Sequence, residues 1–442
     1  MREARRPARP APGGSRDGGR IARRGLRSGR PGGRYTPPID PLRVPRWLRA
    51  LVVAGLALCL AAVYLQGGWR HNDPIVYQFY AQHFWESLAH PRLPTEYPPL
   101  SVLPFGLTLL APGGSGLDAF ALGMLALFAA GFLAFERWAT DAKAWTYVVY
   151  ALLAGMGTLI FRYDLLPALM VVAGIWLMER RRFWPVYALI GLGTLLKLFP
   201  LALLPVVVIA QWRAEATSGD VRPWRRPALG VGLCAVVVAA GLGGALLVDP
   251  THALGSIQYL VQRPVEVESI PATLMWLGSF AGVSITPVYG HSSFGLTGSL
   301  GPVASAACDA VLVAGVLWVL WRQLAGRITA SYATVAVLLL VICTSRVLCP
   351  QYLLWVVPAL AAVQGFRWRW IPAFAMTALI FPFLWHVAVH TDPAAYTDGL
   401  LPAVAVRNVL LVACAAGFVL ATPVLESAAH PDALPAPTQA VG

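Results

Sequence analysis

The sequence is short of charge. Asp, Glu, Lys and Arg make up 12% of its 442 residues, about half of what a soluble protein carries. That shortage excludes an ordinary soluble enzyme, a nucleic-acid binder and a disordered scaffold. Lysine is nearly missing: of 34 basic residues only Lys143 and Lys197 are lysines. Cysteine is scarce as well, with six residues at 59, 234, 308, 343, 349 and 414. None stands in a CxxC or Cys/His pattern, so neither a disulfide framework nor a zinc site is expected, and the cysteines read as small helix-packing residues. No fixed-period repeat is visible.

Present instead are long apolar blocks, with 57% of residues hydrophobic. They fall at 47–66, 117–135, 144–160, 165–179, 228–248, 302–321, 330–345, 351–366, 370–387 and 402–422. A further run at 184–210 is broken by Lys197 and Pro200. Apolar blocks of this length between basic clusters mark a polytopic membrane protein.

The net charge of +13 belongs to the N-terminus. Residues 1–49 hold fourteen arginines against Glu3, Asp17 and Asp40, a net of +11, and the other 393 residues carry a net of +2. An Arg-, Gly- and Pro-rich segment buries too little apolar surface to order itself. Residues 1–46 therefore read as a disordered cytoplasmic tail near anionic lipid headgroups. The run starting near Trp47 lacks a small-residue cleavage site and is long enough to span, so no signal peptide is expected. Residues 47–422 form the membrane domain, and 423–442 a short flexible cytoplasmic C-terminus.

Cytoplasmic loops collect Lys and Arg, which places the clusters at 180–182, 213–226, 322–327 and 367–369 inside with the tail. The segments 249–301, 345–351 and 388–401 then fall outside. Residues 184–210 must cross twice, in arms of about 13 residues where roughly 17 are needed for a full span. This predicts a hairpin turning at Lys197-Leu198-Phe199-Pro200. Phe161-Arg162-Tyr163-Asp164 falls on the outer side. The proline-rich stretch 98–112 is expected to dip in from outside without spanning. The apolar stretch 270–285 of the largest outer loop is expected to lie on or in the interface. The expected fold is all-α, a polytopic membrane protein of about 12 transmembrane helices with re-entrant or broken segments.

Ionisable side chains in or beside apolar runs are expensive and usually face an aqueous cavity. Arg162, Asp164, Lys197 and Arg346 stand out on this basis. Lys197 and Arg346 are candidate phosphate contacts, one a compact charge and the other a bidentate fork. Lys197 also has the blander reading of a boundary lysine that snorkels to water. Arg162 and Asp164 are expected to pair with each other structurally, with a direct part in catalysis as the alternative. In the first outer loop, 67–97, Asp73 stands where the chain leaves the bilayer. It suits a general base acting on an acceptor hydroxyl, and equally a solvated capping residue before Pro74. His71, Asp73, His83, Glu86 and His90 make a metal site only on paper, because no HExxH-type pair is present. Arg263, Glu266, Glu268 and His291 in the long outer loop are candidates for holding an acceptor sugar, or ordinary loop residues.

The order Asp73…Tyr80, Glu96-Tyr97-Pro98-Pro99-Leu100, Arg162-x-Asp164, Lys197-x-x-Pro200 and Pro350-Gln351-Tyr352-Leu353-Leu354-Trp355-x-x-Pro358 resembles the family 87 glycosyltransferases. These belong to the GT-C superfamily and are common in actinobacteria. The resemblance runs from about residue 47 to 420. It implies a GT-C-like fold, a polyprenyl-phosphate sugar donor (typically mannose) and often an α-1,2 linkage. It gives Asp73 the catalytic role. Lys197 and Arg346 remain the candidate donor-phosphate contacts, and Tyr80, Glu96, Tyr97, Arg162, Asp164, Arg263, His291, Gln351 and Tyr352 the candidate pocket. Some relatives carry Gly-Asn or Gly-Gln where this chain has Arg162-Tyr163-Asp164, which leaves the sugar and acceptor open.

The expectation is an inverting, α-mannosyltransferase-like enzyme on the outer face of the cell membrane, with both termini cytoplasmic. Its partners would be the lipid donor, a cell-envelope glycolipid or glycan acceptor and membrane lipids. No nucleic acid and no cofactor is called for, a divalent metal being left open. A flippase or transporter of a lipid-linked sugar would instead predict matching broken helices in two halves, and only the break near Lys197 is visible. A non-catalytic membrane subunit of envelope assembly is the third reading, and retention of Asp73 argues against it.

Overall fold

Helices make up nearly all the regular structure in the computed structural model, which describes residues 73–87, 90–111, 115–291, 293–385, 387 and 399–421. The expected tail 1–46, the first predicted helix at 47–66, His71 and the C-terminal segment 423–442 lie outside the described residues. A short helix α1 (Asp73–Ala81) opens the described chain. Helices α2 (Ser115–Trp138), α3 (Asp141–Gly155) and α4 (Leu165–Glu179) follow. Next come α5 (Phe183–Leu196), α6 (Leu204–Thr217) and α7 (Arg225–Val248). After an elaborate loop containing α8 (Gly255–Gln262) and α9 (Ile270–Ser279), the chain continues through α10 (Leu300–Leu324), α11 (Ala330–Thr344), α12 (Leu353–Gln364), α13 (Ile371–Ala378) and α14 (Leu401–Val419). Local chemistry starts several of these helices. Thr140 accepts from the N–H of Lys143, Ser269 from Ala272 and Thr329 from Tyr332, each meeting one of the donors a helix N-terminus leaves unpaired.

Length separates two kinds of helix. Five among the described residues are long and apolar enough to cross a membrane, including α2, α7, α10 and α14. Helices α7 and α10 turn most of their surface outward, which an all-round apolar helix tolerates when its neighbour is lipid. Shorter α11 and α12 are sealed inside the protein: Leu338, Leu339, Ile342, Leu354, Val357 and Leu360 are fully buried. They form the centre of the main core with α3, α4 and α5.

The expected break at Lys197 is present and asymmetric. Lys197 leaves α5 in an extended conformation, and a 3-10 turn over Phe199–Leu203 leads into α6. The sequence reading made both arms too short to span. In the structure the turn joins α6 end to end, and Phe199–Thr217 is a 19-residue candidate span. Only α5, with 14 residues, is short. The proline-rich stretch forms a broken helix over Pro99–Leu109, a turn of α-helix flanked by 3-10 turns, and is too short to cross.

The long loop departs most from expectation. It carries a three-stranded antiparallel sheet, with β1 (Val265–Glu266), β2 (Thr286–Gly290) and β3 (Ser293–Thr297) in the order β1-β3-β2. The all-α expectation missed it because each strand is short and lacks alternation over a useful length. Helix α9 does not simply lie on the interface. Its Ala272 and Met275 are buried in a second core with Ile380, Leu401 and Val404, while Leu274, Leu277 and Phe280 stay exposed on the opposite side.

Candidate active site

One cavity of about 690 Å³ is lined by the start of α1, the segment 96–98 between α1 and α2, the α3–α4 turn, the break after α5, and the loops before α10 and α12. Its wall includes Asp73, Glu96, Tyr97, Arg162 and Lys197 from the first half of the chain. Arg263, Glu266, Glu268, His291, Gln351 and Tyr352 line it from the second half.

Asp73 is the first residue of α1, and the helix turn places Tyr77 one turn further on the same face. The Tyr77 hydroxyl donates to Asp73 Oδ2 at 3.3 Å and the Tyr97 hydroxyl to the same oxygen at 3.1 Å. The Arg162 guanidinium completes the set as an ion pair with Oδ2. The Asp73 side chain keeps 21% of its surface open. Behind it, Tyr77, Phe105, Phe120 and Tyr163 pack into an aromatic cluster that fixes α1 against the α3–α4 turn.

Asp164 lies two residues beyond Arg162 in a different setting. Its side chain is fully buried, and Oδ1 accepts from the Trp355 indole at 2.6 Å and from Lys197 Nζ at 3.1 Å. Lys197 Nζ also sits 4.8 Å from the Tyr163 ring centroid and 5.2 Å from that of Tyr97. Phe199, Trp355 and Tyr352 stack in sequence beside it, with centroids 4.4 and 3.8 Å apart. The expected Arg162–Asp164 pair is therefore not formed. The turn directs the two side chains apart, so Arg162 serves Asp73 and Asp164 serves Lys197.

The opposite wall is acidic. Glu266 Oε2 accepts from the N–H of Leu348 at 2.9 Å and Oε1 from the Cys349 thiol at 3.3 Å. Cys349 thus belongs to the cavity wall, not merely to helix packing. Glu268 meets Arg407 Nη2 at 3.2 Å, and Asn408 donates to the Glu268 carbonyl at 3.1 Å. Burial pushes the Glu268 carboxyl up to about 8, with the Arg407 charge opposing it. Burial raises Glu266 too, against the pull of Arg263. Arg263 itself lies beside the Tyr259 ring at 5.6 Å, and its buried Nε has no hydrogen-bond partner among the described residues.

Arg346 and Tyr80 stand away from the cavity wall. The Arg346 guanidinium turns to the carbonyls of Leu260 and Val261 at 3.3 Å each, and the Tyr80 hydroxyl bonds Thr95 Oγ1 at 3.1 Å. Asp164 is behind the wall, reaching it through Lys197. His83 bonds the Phe79 carbonyl, and no group of three or more His, Cys, Asp or Glu among the described residues is arranged for a metal. Sequence reasoning did not single out Trp355 or Arg407. Arg407 carried the signal, as a lone base inside the 402–422 apolar run, and Trp355 stood inside the Pro350–Pro358 motif without a polar partner in view.

The family model described as glycosyltransferase family 87 matches residues 95–350. That range includes Glu96, Arg162, Lys197 and Arg263 and stops short of Asp73 on one side and Gln351 on the other. The solved structure of ArnT from Cupriavidus metallidurans bound to undecaprenyl phosphate is similar to this chain, at 18% identity with a TM-score of 0.39, covering 84% of this chain and 76% of that one. The apo ArnT structure from the same organism is similar at 17% identity, also with a TM-score of 0.39, over 83% and 76%. No curated protein matches the sequence.

Proposed function

Since the chain belongs to glycosyltransferase family 87, we propose that it transfers a sugar, mannose in the first instance, from a polyprenyl-phosphate donor to a cell-envelope glycolipid or glycan, with Asp73 as general base. The observation that carries this reading is the pairing of a partly open carboxylate with cations on one cavity wall. Asp73 faces the cavity, and Arg162 and Lys197 stand beside it at the same wall.

The chemistry follows from the charges. The donor is a phosphodiester that leaves as a lipid phosphate monoester, so negative charge grows on the phosphate as the anomeric C–O bond breaks. Fixed cations at that point stabilise the transition state more than the ground state. Arg162, Lys197 and Arg263 are the cations at the cavity wall, and Arg263 takes the part that the sequence reading gave to Arg346. The phosphate competes with Asp73 for Arg162. As the guanidinium shifts toward it, Asp73 Oδ2 is released to accept the proton of the acceptor hydroxyl. The new C–O bond forms on the face opposite the leaving phosphate, which inverts the anomeric centre. A second catalytic carboxylate of the glycosidase kind is unnecessary, because the leaving group is already a stabilised anion. Gln351 offers an amide for sugar hydroxyls, and the Phe199–Trp355–Tyr352 stack offers an apolar face.

Element order supports an outward-facing site. The connections at 180–182, 218–224, 325–329 and 365–370 hold most of the body's clustered arginines or directly adjoin them. The cavity residues lie at the other ends of the same helices, in connections 156–164, 197–198, 249–299 and 345–352. With arginine-rich loops in the cytoplasm, the cavity opens on the outer side.

The test is direct. Purified protein in lipid nanodiscs, given polyprenyl-phosphate-mannose and an envelope-lipid extract, is expected to yield a new mannoside detected by mass spectrometry. Asp73→Asn is expected to abolish it. Transfer at the wild-type rate by Asp73→Asn overturns the base assignment. Lipid translocation without consumption of the donor overturns the transferase reading.

A further inference from the structure

The two carboxylates of the acidic wall differ in what they leave free. Glu266 uses both oxygens within the protein, Oε2 for the Leu348 N–H and Oε1 for the Cys349 thiol. Glu268 uses one. Its Oε2 meets Arg407 Nη2 at 3.2 Å, while Oε1 has no hydrogen bond among the described residues, although Glu268 lines the cavity.

Arg407 is fully buried in α14, and its Nε and Nη1 have no partner among the described residues. As a purely structural device this is poor, because an apolar side chain of similar volume often stabilises such a place as well or better. Its contacts suggest another service. Nη2 reaches the Glu268 carboxylate and also the Glu268 carbonyl, at 2.8 Å. Next to it, Asn408 Nδ2 donates to that same carbonyl at 3.1 Å and to the Ser269 carbonyl at 3.2 Å. On the preceding side the Val267 N–H bonds the Phe294 carbonyl at 3.1 Å. Backbone and carboxylate are thus fixed together at the cavity wall, with Oε1 left free of hydrogen bonds among the described residues.

Charge decides what that oxygen can read. The lipid phosphate belongs with the cations Arg162, Lys197 and Arg263, and Glu268, whose own cation Arg407 is fully buried, offers no counter-charge to an anion. A hydroxyl, in contrast, pairs with this carboxyl in either protonation state, donating to a carboxylate oxygen or accepting from a carboxylic acid. Phe294 and Trp385 line the same cavity with ring centroids 5.5 Å apart, and they offer an apolar face for the C–H side of a sugar ring.

We propose that Glu268 reads a hydroxyl of a neutral sugar, and that Arg407 is the positioning residue that aims it. The sugar's part in catalysis rests on the transferase reading above, whereas the contact itself is a property of binding.

The experiment therefore measures binding. Asp73→Asn protein in nanodiscs is titrated with polyprenyl-phosphate-mannose, with bare polyprenyl phosphate and with octyl α-mannoside. Adding Glu268→Gln is expected to weaken one mannose-bearing ligand at least tenfold. The lipid-linked one weakens if the hydroxyl is the donor's, and the octyl mannoside if it is the acceptor's. Bare polyprenyl phosphate is expected to bind as before, which also reports an intact fold. Arg407→Met should reproduce the loss, Arg407→Lys should recover part of it, and Arg407→Met should add nothing in the Glu268→Gln background. Unchanged binding of both mannose ligands by Glu268→Gln overturns the proposal. Equal weakening of all three ligands by Arg407→Met, or additivity with Glu268→Gln, overturns the positioning role. Wild type that forms no mannoside yet shows Glu268-dependent sugar binding removes the transferase reading and supports this site.

Discussion

Asp73 and Asp164 stand on either side of the same cluster of aromatic rings, each paired with one cation, yet they do opposite things. The Asp73 pair is open to the cavity, with 21% of the carboxylate side chain and 18% of Arg162 accessible. The Asp164 side chain has no accessible surface, and Lys197 and the Trp355 indole occupy its oxygens. An open pair can exchange partners when a phosphate arrives. A sealed pair cannot, because separating it would leave a charge buried without compensation. On the proposed reading, chemistry belongs to the first carboxylate, and the second holds a cation in position for it. Access, more than residue type or pairing, is then what divides the proposed base from a strut.

Four measurements break or sharpen that contrast. The largest effect is expected from Asp73→Asn, which removes the base while keeping hydrogen-bonding capacity. Its turnover should fall by about 10²–10⁴ with no loss of thermal stability, read by mannoside formation and by unfolding in detergent. A similar rate loss in Asp164→Asn at unchanged donor affinity would erase the distinction.

Asp164→Ala should instead act on stability. Removing one member of a buried pair costs about 3–5 kcal/mol, and the measurement is the unfolding midpoint of purified protein. The double change Lys197→Met with Asp164→Asn, which removes both charges of the pair, is expected to cost less than Asp164→Ala.

Arg162→Gln tests the exchange of partners. On the proposed reading this guanidinium, paired with Asp73 at the cavity wall, also meets the donor phosphate, so the donor's kcat/KM should fall by roughly 10- to 100-fold, the scale of a lost charged hydrogen bond. The acceptor's KM should stay near wild type. A loss confined to the acceptor would remove Arg162 from the donor site.

The smallest effect is expected at Asp249, outside both neighbourhoods, where a loop carboxylate pins the chain leading to Tyr97. It accepts from the N–H of Leu93 at 2.9 Å, from the Thr251 hydroxyl at 2.6 Å and from His252 Nδ1 at 2.7 Å. Burial by itself would raise this carboxyl, but these hydrogen bonds outweigh it and hold it at about 2. A carboxyl depressed in the fold adds stability above its unfolded value, near 4, and loses it as pH falls from about 4 through about 2. Asp249→Asn should therefore cost roughly 1–2 kcal/mol at pH 7, with the gap to wild type closing below about pH 4. A gap that keeps its full size down to about pH 2 would mean that packing, not charge, pins this loop.

Much of this arrangement was legible beforehand, and the exceptions share a cause. The apolar runs foretold the membrane helices, and the lone Lys197 foretold the break after α5, because a charge and a proline cannot continue an apolar helix at no cost. Local spacing misjudged the partners. Arg162 and Asp164, two residues apart, looked made for each other, but a turn sends adjacent side chains to different surfaces. Arg346, a candidate phosphate contact by its place in the sequence, turns its guanidinium to the loop carbonyls of Leu260 and Val261, partners no local spacing shows. Glu268 and Arg407 are 139 residues apart, a separation at which no pattern in one sequence pairs them.

What the sequence determined by itself is the solvent. Apolar blocks with little charge commit the chain to lipid, and ordered polar motifs place it in its family. Tertiary structure decided which carboxylate is open and which is sealed. The reason is physical: lipid partition sums over residues and can be read from composition, whereas desolvation of a single carboxylate depends on what packs around it. For Asp164 that is Trp355 and Lys197, brought from two distant stretches of chain.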